Sequence, residues 1–369
     1  MMNFYIFFLL IISIFIMDIY SEEYTIAEIY KNDKKGNKAV ERLLNDEGIR
    51  RDKNLDYTCG VFDEDYNIIA TGSCFGNTLR CVAVSQKHQG EGLVNKIFSH
   101  LIQHQFERNN FHLFLYTKCS SSVFFDDLGF YEIVRIKDQI VFMENKKTGF
   151  KDYLTELSKT KKEGKKIAAI VMNANPFTLG HLYLVEKASK ENDILHLFIV
   201  SEDKSIFPFN IRKKLVMEGT AHLKNIIYHD SGPYIISSAT FPSYFQKDEK
   251  AVIESHANID LEIFVKIAKS LDINVRYVGE EPKSIVTGIY NQIMETKLPE
   301  YGVNCIIVPR KNEDSGDIIS ASNVRNLIKN GDFDKIKELV PESTYNYLIS
   351  PEAKNIIQRI KLQEDVKHY

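Results

Sequence analysis

Residues 167–172 read IAAIVM, an unbroken apolar run, and four more runs rich in apolar residues follow: ILHLFIV (194–200), NIIYH (225–229), INVRYV (273–278) and NCIIVP (304–309). Short runs of this kind predict strands buried on both faces. Helical spacing fills most of the intervals. The segment is therefore expected to form a parallel sheet covered by helices on both sides, with right-handed crossovers. In such sheets ligands sit beyond the carboxyl ends of the strands, which points to the loop after IAAIVM.

The first 145 residues are patterned differently. Residues 24–48 carry helical spacing, with Ile26, Ile29 and Tyr30 on one face and Val40, Leu43 and Leu44 on another, around a polar break at 32–37. YTCGVF (57–62), NIIATGSCF (67–75) and TLRCVAV (78–84) predict strands. After KHQGEG (87–92), apolar residues at 93, 94, 97, 98, 101 and 102 predict an amphipathic helix. HLFLYT (112–117) predicts a strand, SSSVFFDDLGFYEI a short helix ending at Gly129 and then a strand, and QIVFMEN (139–145) a closing strand. Lysines crowd 146–166, which reads as a surface helix and linker with a solvated charged face. The expected organisation is a leader (1–16), a first domain (17–145), a linker (146–165), a parallel-sheet domain (166–349) and a helical tail (350–369).

Composition refines this picture. With 369 residues, 44% of them hydrophobic, the chain can build two cores. The net charge of −3 lacks the basic surplus of nucleic-acid binders. Cys59, Cys74, Cys81, Cys119 and Cys305 are odd in number and form no CxxC pair. That argues against a disulfide framework or zinc site and suits a reducing cytoplasm, the expected location. Residues 3–17 are almost wholly apolar, yet too short to span a bilayer and without the basic start and cleavage site of a signal peptide. Because Asp18 onward reads as folded domain, a translation start at Met17 is favoured, with a membrane anchor as the alternative.

The loop NANPFTLGH (173–181) joins a strand to a helix. Free N–H groups at a helix start, and the helix dipole, favour an anion there. Gly180 permits close approach, and His181 in the first turn can donate to phosphate oxygens. The isolated string is read equally well as a plain turn and cap. A second stretch, ISASNVR (319–325), follows the last strand and leads into another helix. Ser320 and Ser322 suit its N-cap, and Arg325 lies one turn inside. Alone it is also explained as a cap beside a solvated arginine.

Taken in order, TLGH after the first strand and ISASNVR after the last resemble the motifs of the nucleotidyltransferase superfamily. The resemblance implies that Thr178 and His181 meet the α-phosphate region of ATP, and that Ser320, Ser322 and Arg325 meet the β- and γ-phosphates. Asn175, Phe177 and Gly180 join the ATP-binding set. Thr178 stands where histidine is common, which weakens one phosphate contact. The strings SEDKSIFPFNIRKKLV (201–216), SGPYIISSATFPSYFQKD (231–248), VGEEPKSIVTGIYNQIM (278–294) and YGVNCIIVPRK (301–311) look like the citrate (pro-3S)-lyase ligase family. That implies a doubly wound, Rossmann-like domain and a ligase that activates acetate with ATP, releasing AMP and pyrophosphate. Mg2+ would accompany the triphosphate. The implied acyl acceptor is the thiol of a dephospho-coenzyme-A-like group on the citrate lyase acyl carrier (gamma) subunit.

KHQGEG resembles the phosphate-holding loop of GCN5-related acetyltransferases, which implies an acetyltransferase-like α+β first domain. Lys87, Gly90 and Gly92 would then receive the coenzyme-A-like arm. Lys87 replaces the usual Gln or Arg, and a domain kept only for contacts is the competing reading.

Other residues support less. Lys204 and Arg212 can neutralise triphosphate or hold acetate, or form a solvated basic loop. Arg310 and Lys311 follow the same logic after the last strand. Glu280 and Glu281 can meet Mg2+ or nucleotide, or be surface carboxylates. His196 reads as a satisfied core histidine. Phe207, Phe209 and Tyr244 suit an acyl pocket or plain packing, and Asn173 and Asn175 either touch ligand or shape the loop. Three rival functions stand: a nucleotidyltransferase acting on a phosphorylated cofactor precursor, an acetyl-CoA-dependent acetyltransferase, and a scaffold bound to the lyase.

Overall fold

The computed structural model describes residues 24–202, 205–235, 241–242, 249–280, 285–309 and 319–362. The apolar leader, Met17, Lys204, Tyr244, Glu281, Arg310 and Lys311 lie outside the described residues. The chain divides into two compact units, Met1–Lys147 with Pro242–Val252, and Thr148–Phe241 with Ile253–Tyr369.

In the first unit a seven-stranded sheet has the order β1-β2-β3-β4-β5-β7-β6. Its strands are β1 (Thr25–Glu28), β2 (Tyr57–Phe62), β3 (Ile68–Phe75), β4 (Thr78–Val84), β5 (Phe114–Thr117), β6 (Tyr131–Ile136) and β7 (Ile140–Glu144). All neighbours are antiparallel except β4 and β5. Helix α1 (Lys34–Asp46) buries Val40, Leu43 and Leu44, as its spacing predicts. The expected helical start at 24–30 is wrong. Thr25–Glu28 is an edge strand paired with β2, from Thr25 opposite Phe62 to Glu28 opposite Cys59. Ile26 and Ile29 satisfy a helical period by coincidence, and pairing decided the outcome. Helix α2 (Leu93–Glu107) buries Leu93, Ile97, Phe98 and Leu101. Each such burial contributes about 1.5–3 kcal/mol. A short α3 (Ser122–Asp127) ends before Gly129, whose φ of 81° suits a residue without Cβ.

The second unit opens with α4 (Gly149–Ser158), inside the stretch expected as linker. Its Phe150 is buried, with its ring 4.7 Å from that of Tyr234. Strands β8 (Ile167–Met172), β9 (Ile194–Ile199), β10 (Ile226–Asp230), β11 (Val275–Gly279) and β12 (Asn304–Val308) form a wholly parallel sheet ordered β10-β9-β8-β11-β12. Helices α5 (Leu179–Glu191) and α6 (Phe209–Gly219) connect the strands on one side of β8. Helix α7 (Glu249–Leu271) returns the chain across to β11, and α8 (Ile285–Lys297) leads to β12. The winding reverses between β8 and β11, the position at which doubly wound sheets bind ligands. The remaining helices are α9 (Ala321–Asn330), α10 (Phe333–Leu339), α11 (Glu342–Ile349) and α12 (Lys354–Leu362). Ile356 and Ile360 of the expected tail join the same core cluster as Val185, Leu215 and Val324.

All five cysteines are free thiols. His196 is buried, and its Nδ1 lies 2.8 Å from His229 Nε2 on the adjacent strand. Its Nε2 meets no partner among the described residues, so it is a core histidine only half satisfied.

Candidate active site

The loop after β8 is built by its own side chains and by two buried arginines. Thr178 is the N-cap of α5, with extended backbone at φ −121° and ψ 168°. His181 stands at the third helical position and closes a reciprocal capping box with it. The Thr178 backbone N–H donates to His181 Nδ1 at 3.0 Å, and Thr178 Oγ1 lies 2.9 Å from the same nitrogen. A nitrogen that accepts from a backbone N–H carries no proton of its own. The neutral ring therefore bears its proton on Nε2, which makes that nitrogen the donor. The cap thus orients the imidazole and fixes its tautomer, so the plain-cap and phosphate-donor readings are compatible.

Arg212 was expected to neutralise triphosphate, to hold acetate or to lie in a solvated basic loop, and its burial calls for a different account. Its guanidinium is fully buried and donates to four main-chain carbonyls: Asn173 at 2.8 Å, Val200 at 2.9 Å, Glu202 at 2.7 Å and Phe207 at 3.0 Å. These oxygens belong to the loops after β8 and β9, so Arg212 ties the two together and is a positioning residue. Asn175 is buried as well: its Oδ1 accepts from Phe207 N–H at 3.0 Å, so its side chain shapes the loop. Asn173 Nδ2 lies 3.1 Å from Ser205 Oγ. Phe207 belongs to the core cluster and Phe209 packs against it, so packing accounts for both. Phe177 is fully buried, and Gly219 leaves room for its ring, since a Cβ there would come within 2.7 Å of it.

The second motif meets the first directly. Ser320 caps α9, its Oγ accepting from Asn323 N–H at 3.1 Å. Arg325, 2% exposed, sends Nη1 to Asn175 O at 2.6 Å and Nη2 to Ser322 Oγ at 3.0 Å. It thus ties the start of α9 to the loop before α5, and burial lowers its pKa to about 10. Gly180 faces the same junction, where a Cβ would stand 3.1 Å from Ile319 O. Thr344 of α11 adds a bond from Oγ1 to Phe177 O at 2.9 Å. Sequence reading missed Thr344 and Gly219, and no local pattern marks either of them. Glu280 is exposed just after β11, its N–H bonded to Val308 O.

Two helix N-termini therefore converge at the winding reversal, each with its cap in place and the pair joined by Arg325. Such an arrangement presents N–H groups and dipole ends to a polyanion. Gly180→Ala is expected to slow catalysis about ten-fold, because the two ends must separate by a few tenths of an ångström. Stability should change little, since the helix preference of Ala, about 1 kcal/mol, offsets the crowding. A lowered Tm with unimpaired turnover would mark the contact as packing alone. A cavity of about 570 Å3 beside Leu179 and Leu182 is lined by Glu218 and Glu342, the wrong sign for a polyphosphate.

In the first unit, Gly90 (φ 91°) and Gly92 (φ 74°, the N-cap of α2) occupy left-handed conformations, and Lys87 is exposed beside them. Strands β4 and β5 pair only at Thr78–Leu79 against Phe114–Leu115 and then separate. A cleft of about 140 Å3 opens there, lined by Arg80, Tyr116, Thr117 and Phe125 among others.

Residues 167–348 match the family model of the citrate lyase ligase C-terminal domain. A citrate (pro-3S)-lyase ligase of Escherichia coli K12 is 40% identical over 305 residues, covering 80% of this chain and 87% of the relative. Its counterpart in Haemophilus influenzae is 36% identical over 315 residues, covering 84% and 94%. Among solved structures, a GNAT-family acetyltransferase of Staphylococcus aureus aligns with 33% of this chain and 99% of its own at 16% identity, with a TM-score of 0.29. That score is too low to carry an argument, whereas the two sequence relatives span most of both chains. The chain belongs to the citrate lyase ligase family of enzymes.

Proposed function

We propose that the protein activates acetate with ATP and passes the acetyl group to the thiol of a coenzyme-A-like group on the acyl carrier subunit of citrate lyase. The observation that carries this reading is the junction of the two capped helix starts through Arg325 and Asn175 O. In the first step an acetate oxygen attacks the α-phosphate in line, a P–O bond to pyrophosphate breaks, and acetyl-adenylate forms. A carboxylate nucleophile needs no general base, so the protein's task is positioning and charge stabilisation. His181 Nε2–H donates to an α-phosphate oxygen. The starts of α5 and α9, with Ser320 and Ser322, face the β- and γ-phosphates. Arg325 lends positive charge from beneath while holding the loop. Mg2+ would enter with the triphosphate. Among the described residues no group of three His, Cys, Asp or Glu side chains is arranged to hold a metal ion.

In the second step the carrier thiolate attacks the acetyl carbonyl, the acyl–phosphate bond breaks, and AMP leaves. The first unit supplies the arm site: successive N–H groups around Gly90 and Gly92 suit a pyrophosphate, and the cleft between β4 and β5 suits the thiol end. No described helix is long and apolar enough to cross a membrane. Gly90→Asp is expected to leave acetate-dependent pyrophosphate exchange intact while acetylation of the carrier, followed by mass spectrometry, falls at least about ten-fold. Unimpaired acetylation would remove the loop from the account.

A further inference from the structure

Tyr277 of β11 faces the cluster formed with α5, so its neighbour Arg276 points to the other side of the sheet, toward α7 and α8. Arg276 is 7% exposed, and its Nε and Nη1 meet no acceptor among the described residues. Its guanidinium stacks on Phe264 of α7, with Cζ 4.1 Å from the ring centroid. A buried guanidinium without acceptors is costly, and native proteins rarely retain one without a reason. Asp260 is the nearby acid, but its bonds go elsewhere. Tyr290 OH donates to its Oδ2, and His256 Nε2 lies 3.9 Å from its Oδ1. Burial pushes the Asp260 carboxyl above its ordinary range and the Arg276 guanidinium below its own.

Arg276 is the second residue of β11, opposite Ala169 of β8 and Cys305 of β12, and so lies toward the amino end of the sheet, below Gly279. Asn291, next to Tyr290 on α8, donates to the carbonyl of Gly279, the last residue of β11. The polar groups therefore run from that carboxyl end down toward Arg276. They belong to the face opposite α5.

We propose that this cluster is a binding site for a small monocarboxylate, seated on the donor edge of Arg276 between Phe264 and Tyr290. A carboxylate matches a guanidinium edge with two parallel hydrogen bonds. The two aromatic rings suit a short apolar remainder, which a phosphate lacks. The inference rests on the proposed reaction only in taking acetate as its probe.

The test is the thermal unfolding of the full chain in sodium acetate, without ATP, against sodium chloride and sodium phosphate at equal ionic strength. Acetate is expected to raise Tm saturably, by about 5 °C near saturation. Arg276→Met should fold at least as stably in chloride, because it removes a buried charge, and should lose the acetate response. If Arg276→Met does not fold, Arg276→Lys keeps the charge without the planar edge, and its response must fall. An acetate response no larger than that of chloride, one unchanged in both variants, or one matched by phosphate overturns the proposal. The KM for acetate in pyrophosphate exchange identifies the source of the ligand. A ten-fold rise in Arg276→Met at constant kcat makes it the reacting acid, and an unchanged KM makes it a second, non-reacting carboxylate. Exchange in the parent chain without an Arg276-dependent shift in Tm would sink this site and leave the reaction standing. The shift without exchange would do the reverse.

Discussion

His181→Gln should fold like the parent chain and lose about 10²–10³-fold in acetate-dependent pyrophosphate exchange. The two effects separate because His181 has two roles at two atoms. Nδ1 accepts from the Thr178 N–H and closes the cap, whereas Nε2 carries the proton offered to phosphate. Glutamine at the same helical position also closes a capping box, so the helix start survives. Its amide does not place a donor where the imidazole does. His181→Ala should show the same loss of rate, together with about 1 kcal/mol of destabilisation from the open cap. The checks are exchange kinetics and thermal unfolding on both variants. Full exchange in His181→Gln would reduce the residue to its cap.

Arg212→Ala has the largest expected effect on stability, about 3–5 kcal/mol. In a unit of this size that lowers Tm by on the order of 10 °C. The loss comes from four carbonyl oxygens left without their donor in a buried place, not from the charge alone. Arg212→Lys should recover only part of it, since a single ammonium cannot span donors to the loops after β8 and β9 together. Were Arg212 a phosphate ligand instead, Tm would hold while KM for ATP rose. Calorimetry of the three proteins distinguishes the cases.

These two residues show what the sequence made legible. IAAIVM announced β8 to the residue, because a strand buried on both faces leaves no polar alternation to misread. The TLGH and ISASNVR strings were legible as helix starts because capping is local chemistry, set within four residues. Their meeting was not legible. It depends on Arg325 reaching Asn175 O, 150 residues away in sequence. The role of Arg212 was hidden for a related reason. A charge in a basic string reads as solvated, and only the fold shows the carbonyls converging on it. Thr25–Glu28 misled because four residues fit both periods, and the choice belonged to β2. Arg276 carried no local signal at all, since INVRYV reads as one more buried strand.

In the proposed reaction the junction of α5 and α9 adenylates a carboxylic acid. The most direct test is exchange of labelled pyrophosphate into ATP by the purified chain, with and without acetate and in the absence of any carrier. Exchange should require acetate, saturate with it, and disappear in His181→Ala. Exchange that ignores acetate and follows a phosphomonoester, or an acetyl transfer that needs acetyl-CoA and no ATP, would contradict that reaction.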